Sequence, residues 1–388
     1  MRGPETRGEL VGLVPAAGEG TRMAPFSLGK PKALIEVEGV TLLERALVAL
    51  RNAGVARAVV VVGYRADEVT TFVSSRDFGL PVETVEQQER LGLSHAVSVA
   101  QHRLTGDTVV YCPDNIYTDA RDVNRVLTDF ARYRPPVLQT VTVVPSAERS
   151  RCRFFSGDLD RVDSHLLLSS GAESTKTEPR TGVALYSAGI TILRKDILRH
   201  LPCFEGVENE MPFPNFLATV DASEGLMLSV LTGRRYDLTA PADIENYVSL
   251  RREVSRAKGR GVSCVLVARD HRVLLHLRDD APGIRYPGHW ALFGGSVDDG
   301  ESPPEALKRE LAEELGLDPG LFGLFREFVQ NNKREYAYVG EIGADIDRLS
   351  LREGKAMRLF SPESVLDLKL RPDDRETLRL YLEGMSYA

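Results

Sequence analysis

As far as about residue 250 the chain alternates continuous apolar runs with amphipathic stretches. The runs Leu10–Pro15, Ala56–Val62, Thr108–Cys112, Val137–Val144 and Leu226–Leu231 read as buried strands. Between the first two the period changes. Thr41 stands in an N-cap position with Glu44 three residues on, the arrangement of a capping box. Leu43, Leu47 and Leu50 then form one apolar stripe, and Gly54 ends the predicted helix. Strands separated by helices of this length predict an α/β unit built on a mostly parallel sheet. At Arg251–Arg260 the pattern breaks into a basic, polar stretch, and a new strand is expected over Ser263–Ala268. The chain therefore divides into 1–250, a linker at 251–260, and 261–388, each half expected to fold alone. There is no solenoid repeat and no low-complexity tract.

Composition narrows the class. A length of 388 residues suits two domains better than one core. The formal charge of −7 argues against a general nucleic-acid binder, whose footprint is basic. The cysteines are too far apart for a CxxC zinc motif and too sparse for a disulfide framework. The N-terminus has no apolar signal-peptide region, and no apolar run approaches the length of a membrane helix. These features lead to the expectation of a cytoplasmic protein without membrane or nucleic-acid partners. They leave a homo-oligomer open.

The first chemical motif follows the first strand. It reads Pro15-Ala-Ala17-Gly18-Glu-Gly20-Thr21-Arg22-Met23, with Pro31-Lys32-Ala-Leu34 close behind. Glycines here bring bare N–H groups up to a phosphate chain, while Arg22 and Lys32 supply charge where a triphosphate is held and pyrophosphate leaves. The stretch is neither a Walker A loop nor GxGxxG. A glycine-rich turn alone would mean little; the two cations at these intervals give it weight.

This stretch resembles the signature of the sugar-1-phosphate nucleotidyltransferases, a likeness covering roughly residues 9–250. The resemblance implies a three-layer α/β/α mixed sheet of the nucleotide-diphospho-sugar transferase type. It also implies Arg22 and Lys32 as the phosphate-binding pair, with Ala17, Gly18, Gly20 and Thr21 against the nucleotide. Gln87 and Gly92 match the segment that contacts the nucleobase. Asp114, closing a strand, and Asp237, in Tyr-Asp-Leu-Thr-Ala-Pro, match the family's two metal aspartates.

The chemistry explains the pair. A phosphate oxygen of the acceptor attacks the α-phosphorus of a nucleoside triphosphate, so two anions must meet. Mg²⁺ favours one or two carboxylates plus phosphate oxygens. No general base is needed, because the attacking phosphate is already ionised. Two departures bear on the acceptor. The family's Glu-Lys-Pro reads Lys176-Thr-Glu178-Pro here, which makes Lys176 and Glu178 the acceptor-binding candidates, and a family glycine is replaced by Thr239. The Thr41–Gly54 region with Val62-Gly63-Tyr64 also resembles phosphocholine cytidylyltransferases, which keeps an amino-alcohol phosphate or phosphonate acceptor as an alternative.

A second motif lies beyond residue 290. Gly295 is followed by Glu301, then by Arg309-Glu310-Leu-Ala-Glu313-Glu314-Leu-Gly316-Leu. Ser302 and Glu305 form another capping box, Pro303 occupies the first helical position, and Gly316 ends the helix. At about 100° per residue, Glu310, Glu313 and Glu314 fall in one sector, and Leu307, Leu311 and Leu315 adjoin it. Three such carboxylates repel one another unless a cation lies among them. An acidic face of this kind is usually just solvated; Gly295, Glu301 and Arg309 in register argue otherwise. Every fixed position matches the Nudix box, so residues 261–388 resemble the Nudix hydrolases, of α+β fold. That resemblance implies Mg²⁺ or Mn²⁺ on Glu310, Glu313 and Glu314, with Arg309 orienting a glutamate. The reaction it implies is attack of a metal-activated water on a nucleoside diphosphate linked to a group X. Glu313 and Glu353 are the catalytic candidates beside Arg309.

The expectation is thus a bifunctional enzyme with two substrate sets. One is a nucleoside triphosphate and a phosphorylated small molecule; the other is a nucleoside diphosphate conjugate. The competing class is a nucleotide-sensing protein in which one domain is inactive.

Overall fold

The computed structural model describes residues 9–118, 120–145, 154–162, 165–174, 183–200, 213, 226–231, 233–268, 270–318, 320–342 and 349–386. The chain opens with β1 (Leu10–Pro15), a short hairpin of β2 (Glu36–Val37) and β3 (Val40–Thr41), and helix α1 (Leu42–Asn52). Then come β4 (Arg57–Val62), α2 (Ala66–Ser74), β5 (Val82–Glu86), α3 (Gly92–Ala100), β6 (Asp107–Tyr111), β7 (Asn115–Tyr117) and α4 (Ala120–Tyr133). The strands β8 (Val137–Pro145), β9 (Phe154–Val162), β10 (His165–Ser174), β11 (Val183–Leu193), β12 (Leu226–Val230) and β13 (Arg235–Asp237) lead to helix α5 (Pro241–Val254).

Nine of these strands form one sheet in the order β5-β4-β1-β6-β11-β8-β12-β10-β9. The half around β1 is parallel: β1 pairs with β4 and β6, and β4 pairs with β5. Beyond β6 the sheet is mixed, because β11 runs antiparallel to both β6 and β8. The interior of β1 and β4 is buried, as strands covered on both faces require. Helix α1 begins as expected: the Thr41 Oγ1 accepts the Glu44 N–H at 3.1 Å. Leu43, Leu47 and Leu50 are fully buried.

The second domain contains β14 (Gly259–Val267), β15 (Val273–Leu277), β16 (Trp290–Ala291), helix α6 (Pro303–Leu315), β17 (Phe322–Gln330), β18 (Lys333–Glu341), β19 (Ala356–Phe360) and helix α7 (Pro372–Ser386). Its sheet runs β16-β15-β14-β18-β17, with β19 on β15 and β14 parallel to β18. The expected linker at 251–260 is shorter than its composition suggested. Helix α5 continues through Val254 and β14 starts at Gly259, so only 255–258 connect them.

The two domains do not have fully separate cores. Val141 and Val143 of β8 and Leu228 and Val230 of β12 belong to one apolar cluster with Val265, Val267, Val339, Leu378 and Tyr381. Part of one face of the first sheet, at β8 and β12, is therefore covered by the second domain. Among the described residues no helix is long and apolar enough to cross a membrane.

Candidate active sites

The first site lies at the ends of β1 and β6. A cleft of about 350 Å³ is lined by Ala17, Gly18, Gly20, Thr21, Arg22, Lys32, Gln87, Gly92 and Asp114, so these sequence candidates converge on it. Gly20 has φ +74°, and a Cβ there would stand 2.8 Å from the Lys32 Cβ. A side chain at this position would therefore push Lys32 out of the cleft. Gly18 has open space around it and is exposed, so its value is access to the backbone rather than a tight turn. Gln87 is buried; its Nε2 donates to the Gly92 carbonyl at 3.0 Å and lies 3.2 Å from His95 Nδ1. It thus fixes the loop leading into α3.

A two-stranded ribbon brings the aspartates together. β7 and β13 pair antiparallel with Asn115 opposite Asp237, and the Leu238 N–H donates to the Asp114 carbonyl at 2.9 Å. Lys32 Nζ reaches Asp114 Oδ2 at 2.5 Å. Asn115 Nδ2 donates to Asp114 Oδ1, and Arg235 Nη1 donates to Asn115 Oδ1, both at 2.8 Å. Asp237 is held by the Tyr186 hydroxyl at 3.3 Å and by Arg235 Nη2 at 3.6 Å. Burial raises the Asp237 carboxyl above its usual range and the neighbouring Asp114 adds to this, while Arg235 opposes it. Asp114 and Asp237 feel one another's charge under partial burial, a repulsion that a divalent cation would relieve. Thr239 lines the same cleft and donates through its hydroxyl to Asp243 Oδ2 at 3.1 Å. Lys176 and Glu178 lie outside the described residues.

The second site is built on α6. The capping box is complete: Ser302 N–H donates to Glu305 Oε2 at 2.8 Å, and Glu305 N–H donates to Ser302 Oγ. Gly316 caps the other end in the left-handed conformation. Leu307, Leu311 and Leu315 anchor the helix in the core. Arg309 organises the acidic face. Its Nε and Nη2 grip Glu301 at 3.0 and 3.1 Å, and its Nη1 donates to Glu310 at 3.0 Å and Glu313 at 3.2 Å. Glu313 is the most open, with 56% of its side chain exposed, whereas Glu314 is buried.

Glu314 Oε2 accepts the Gly294 N–H at 3.0 Å. Burial pushes its carboxyl up to about 8, and Glu310 and Glu353 add to the effect. Burial likewise raises Glu310, with Glu313 and Glu353 contributing against Arg309. A Cβ on Gly295 would lie 2.2 Å from Glu310 Oε1, so only glycine admits that carboxylate. Among the described residues no three carboxylate, thiol or imidazole side chains converge as a ready-made metal cage. Arg309 draws Glu310 and Glu313 to itself instead. The raised carboxyls of Glu310 and Glu314 nonetheless fit a divalent cation, which would relieve their mutual repulsion.

Sequence reasoning missed the residues that hold the carboxylates. Asn115 and Arg235 each adjoin or nearly adjoin a named aspartate, but their pairing across 120 residues needs the ribbon. Tyr186 carried no local signal. His276 was also missed; it stacks on Phe293 with centroids 4.8 Å apart, and burial lowers it to about 4, so it is neutral near pH 7.

Two domain families match the chain. The MobA-like NTP transferase domain matches residues 12–200, and the NUDIX domain matches residues 257–381. A UTP–glucose-1-phosphate uridylyltransferase of Haloferax volcanii is 33% identical over 105 residues, covering 27% of this chain and 43% of the relative. A glucose-1-phosphate thymidylyltransferase of Streptomyces griseus is 33% identical over 175 residues, covering 45% of this chain and 46% of the relative. The chain thus spans less than half the length of each of these two. A UDP-glucose pyrophosphorylase structure from Acinetobacter baumannii aligns with a TM-score of 0.52 at 19% identity, covering 64% of this chain and 95% of that one. At that identity the alignment speaks to the fold, which is the mixed sheet described above.

Proposed function

For a chain that carries a MobA-like NTP transferase domain followed by a NUDIX domain, we propose two activities in one polypeptide. The first cleft transfers a nucleotidyl group from a nucleoside triphosphate to a sugar phosphate, releasing pyrophosphate. The second site hydrolyses a nucleoside diphosphate linked to X. The observation that carries this reading is the convergence of Lys32, Asp114 and Asp237, from three distant parts of the chain, at the mouth of a glycine-lined cleft.

In the transfer, Gly18 and Gly20 offer backbone N–H groups to the triphosphate, and Arg22 and Lys32 balance its charge. Asp114 and Asp237 would hold Mg²⁺ or Mn²⁺, which when bound supplies further charge neutralisation between the two anions. Lys32 has to leave Asp114 to reach the phosphates, and its flexible stem allows that. The bond formed joins an acceptor phosphate oxygen to the α-phosphorus; the bond broken lies between the α-phosphorus and the pyrophosphate oxygen. In the hydrolysis, Glu310, Glu313 and Glu314 would hold the cation and Arg309 orients Glu310 and Glu313. Glu353, whose charge acts on both Glu310 and Glu314, is the candidate to take the proton of the attacking water. Lys176 and Glu178 remain the acceptor-binding candidates, and the cytoplasm the proposed location.

The test is a matrix of nucleoside triphosphates against sugar phosphates and amino-alcohol phosphates, read by pyrophosphate release with Mg²⁺. Release that requires a sugar phosphate supports the proposal. Release only with an amino-alcohol phosphate, or none with any pair, contradicts it.

A further inference from the structure

A small cavity of about 180 Å³ opens where the two domains meet, and it shares no lining residue with the first cleft. Thr118 and Arg121 line it from the first domain; Arg260, Pro303, Arg334 and Tyr336 line it from the second. At roughly 30 Å³ per water it has room for about six waters. That is below the range of about 300–1,000 Å³ for pockets that hold drug-sized ligands, so an inorganic anion suits it better than a whole nucleotide.

Three arginines line this space. Arg260 donates to the carbonyl oxygens of Asp298 at 3.0 Å and Glu301 at 3.2 Å. Those acceptors are carbonyls, so the bonds aim the guanidinium; the Glu301 carboxylate also feels its charge. Arg334 is paired with the buried Glu327 and lies over the Tyr336 ring, 4.9 Å from its centroid. The Glu305 carboxyl is lowered chiefly by its hydrogen bonds with Ser302, and Arg121, exposed on α4, adds to that. Helix α6 starts at the cavity, adding the positive end of its dipole. Its first two residues are prolines without N–H groups, so recognition falls to the arginines. Their planar forks match phosphate oxygens.

We propose that this cavity binds inorganic phosphate or pyrophosphate and that the anion ties the two domains together. Its position gives it leverage on both sites. Thr118 and Arg234 lock the base of the β7–β13 ribbon, through Thr118 N–H to the Arg234 carbonyl at 2.9 Å and Arg234 N–H to Thr118 Oγ1 at 3.0 Å. The other end of that ribbon carries Asp114 and Asp237. Helix α6, on the opposite wall, carries Glu310, Glu313 and Glu314. Pyrophosphate is the leaving group of the proposed transfer, but the cavity is argued from its own residues and stands without that reading.

The test uses the full chain with EDTA present, titrated separately with pyrophosphate and inorganic phosphate by calorimetry, with thermal unfolding alongside. The wild type binds at least one of the two anions, and the preferred one identifies the natural occupant. Arg121→Gln, a change at an exposed position, weakens binding by about tenfold or more and abolishes the rise in melting temperature the anion produces. Arg260→Lys keeps the charge but loses the fork, and it too weakens binding. Lys32→Ala, in the other cleft, retains the event. No binding by the wild type overturns the proposal, as does unchanged binding in both arginine variants or complete loss in Lys32→Ala. An anion that binds without raising the melting temperature overturns the tie between domains.

Discussion

The Lys32 ammonium lies 2.5 Å from the Asp114 carboxylate, a contact made across 82 residues of sequence. Each group therefore holds the other at the mouth of the cleft, and each is needed there for a different anionic or cationic partner. Lys32→Ala should lower kcat for nucleotidyl transfer by about 10²-fold or more, the usual cost of removing one charged contact to a developing anion. Because Lys32 also competes for Asp114, the same variant should not weaken metal binding. Steady-state kinetics across a Mg²⁺ series checks both, and a rise in the Mg²⁺ requirement would count against the competition.

Asn115 connects Asp114 to Arg235 and touches neither phosphate nor acceptor in the proposed mechanism. Asn115→Ala should weaken metal affinity by about 10–100-fold, the range for residues that orient a metal ligand, and so raise the Mg²⁺ requirement. Substrate KM at saturating Mg²⁺ should move much less. Equal changes in both constants would show that Asn115 contacts substrate.

Arg309 serves three glutamates at once. Arg309→Ala should cut hydrolysis by about 10–100-fold, while transfer continues. Arg309→Lys should rescue poorly, since an ammonium cannot grip Glu301 with two parallel bonds while reaching Glu310. Hydrolysis rates of the two variants check this directly.

Glu314 sets a pH dependence. Its carboxyl titrates at about 8 when folded, against 4.5 for an ordinary glutamate. Between those values the folded chain binds a proton that the unfolded chain has lost, so stability falls as pH rises through the window. A cation on Glu314 needs the carboxylate, so its binding releases a proton below about pH 8 and tightens as pH rises to that point. Glu314→Gln should flatten the metal-free stability profile by up to a few kcal/mol between pH 5 and 8. Denaturant unfolding in EDTA at several pH values measures it; an unchanged slope would mean that Glu314 does not carry the effect.

The shared core can be tested by overpacking. A Cβ on Gly323 of β17 would stand 2.6 Å from the Val143 Cβ and 2.9 Å from the Val143 backbone nitrogen of β8. Gly323→Val should therefore destabilise the chain by about 1–3 kcal/mol, seen as a lower melting temperature. A second, separate transition would show the domains parting before either unfolds.

Local rules carried much of this structure. Thr41 with Glu44, and Ser302 with Glu305, start helices where their chemistry says they should. The five apolar runs fall on β1, β4, β6, β8 and β12 within a residue or so at each end. The glycines lining the first cleft and the acidic positions on α6 also follow from spacing, because each lies within a few turns of chain. What stayed hidden is long-range. β11 enters antiparallel between β6 and β8, and nothing in its own residues announces that direction. Val141 and Val143 look like any strand interior, yet they face the second domain. The polar break at 251–260 suggested separation, while helix α5 runs on into it as far as Val254. Tyr186 and Arg235 came into view only when the sheet placed them beside Asp237.

The most direct measurement is a double dissociation in the full chain. Asp114→Asn and Glu314→Gln are each assayed for nucleotidyl transfer and for hydrolysis of a nucleoside diphosphate conjugate, with near-UV circular dichroism confirming the fold. Two metal-dependent sites predict that Asp114→Asn loses transfer by about 10²-fold or more and keeps hydrolysis within a few-fold of wild type. Glu314→Gln should do the reverse. If either folded variant lost both activities together, or lost neither, the account of two chemistries on separate carboxylate sets would be contradicted.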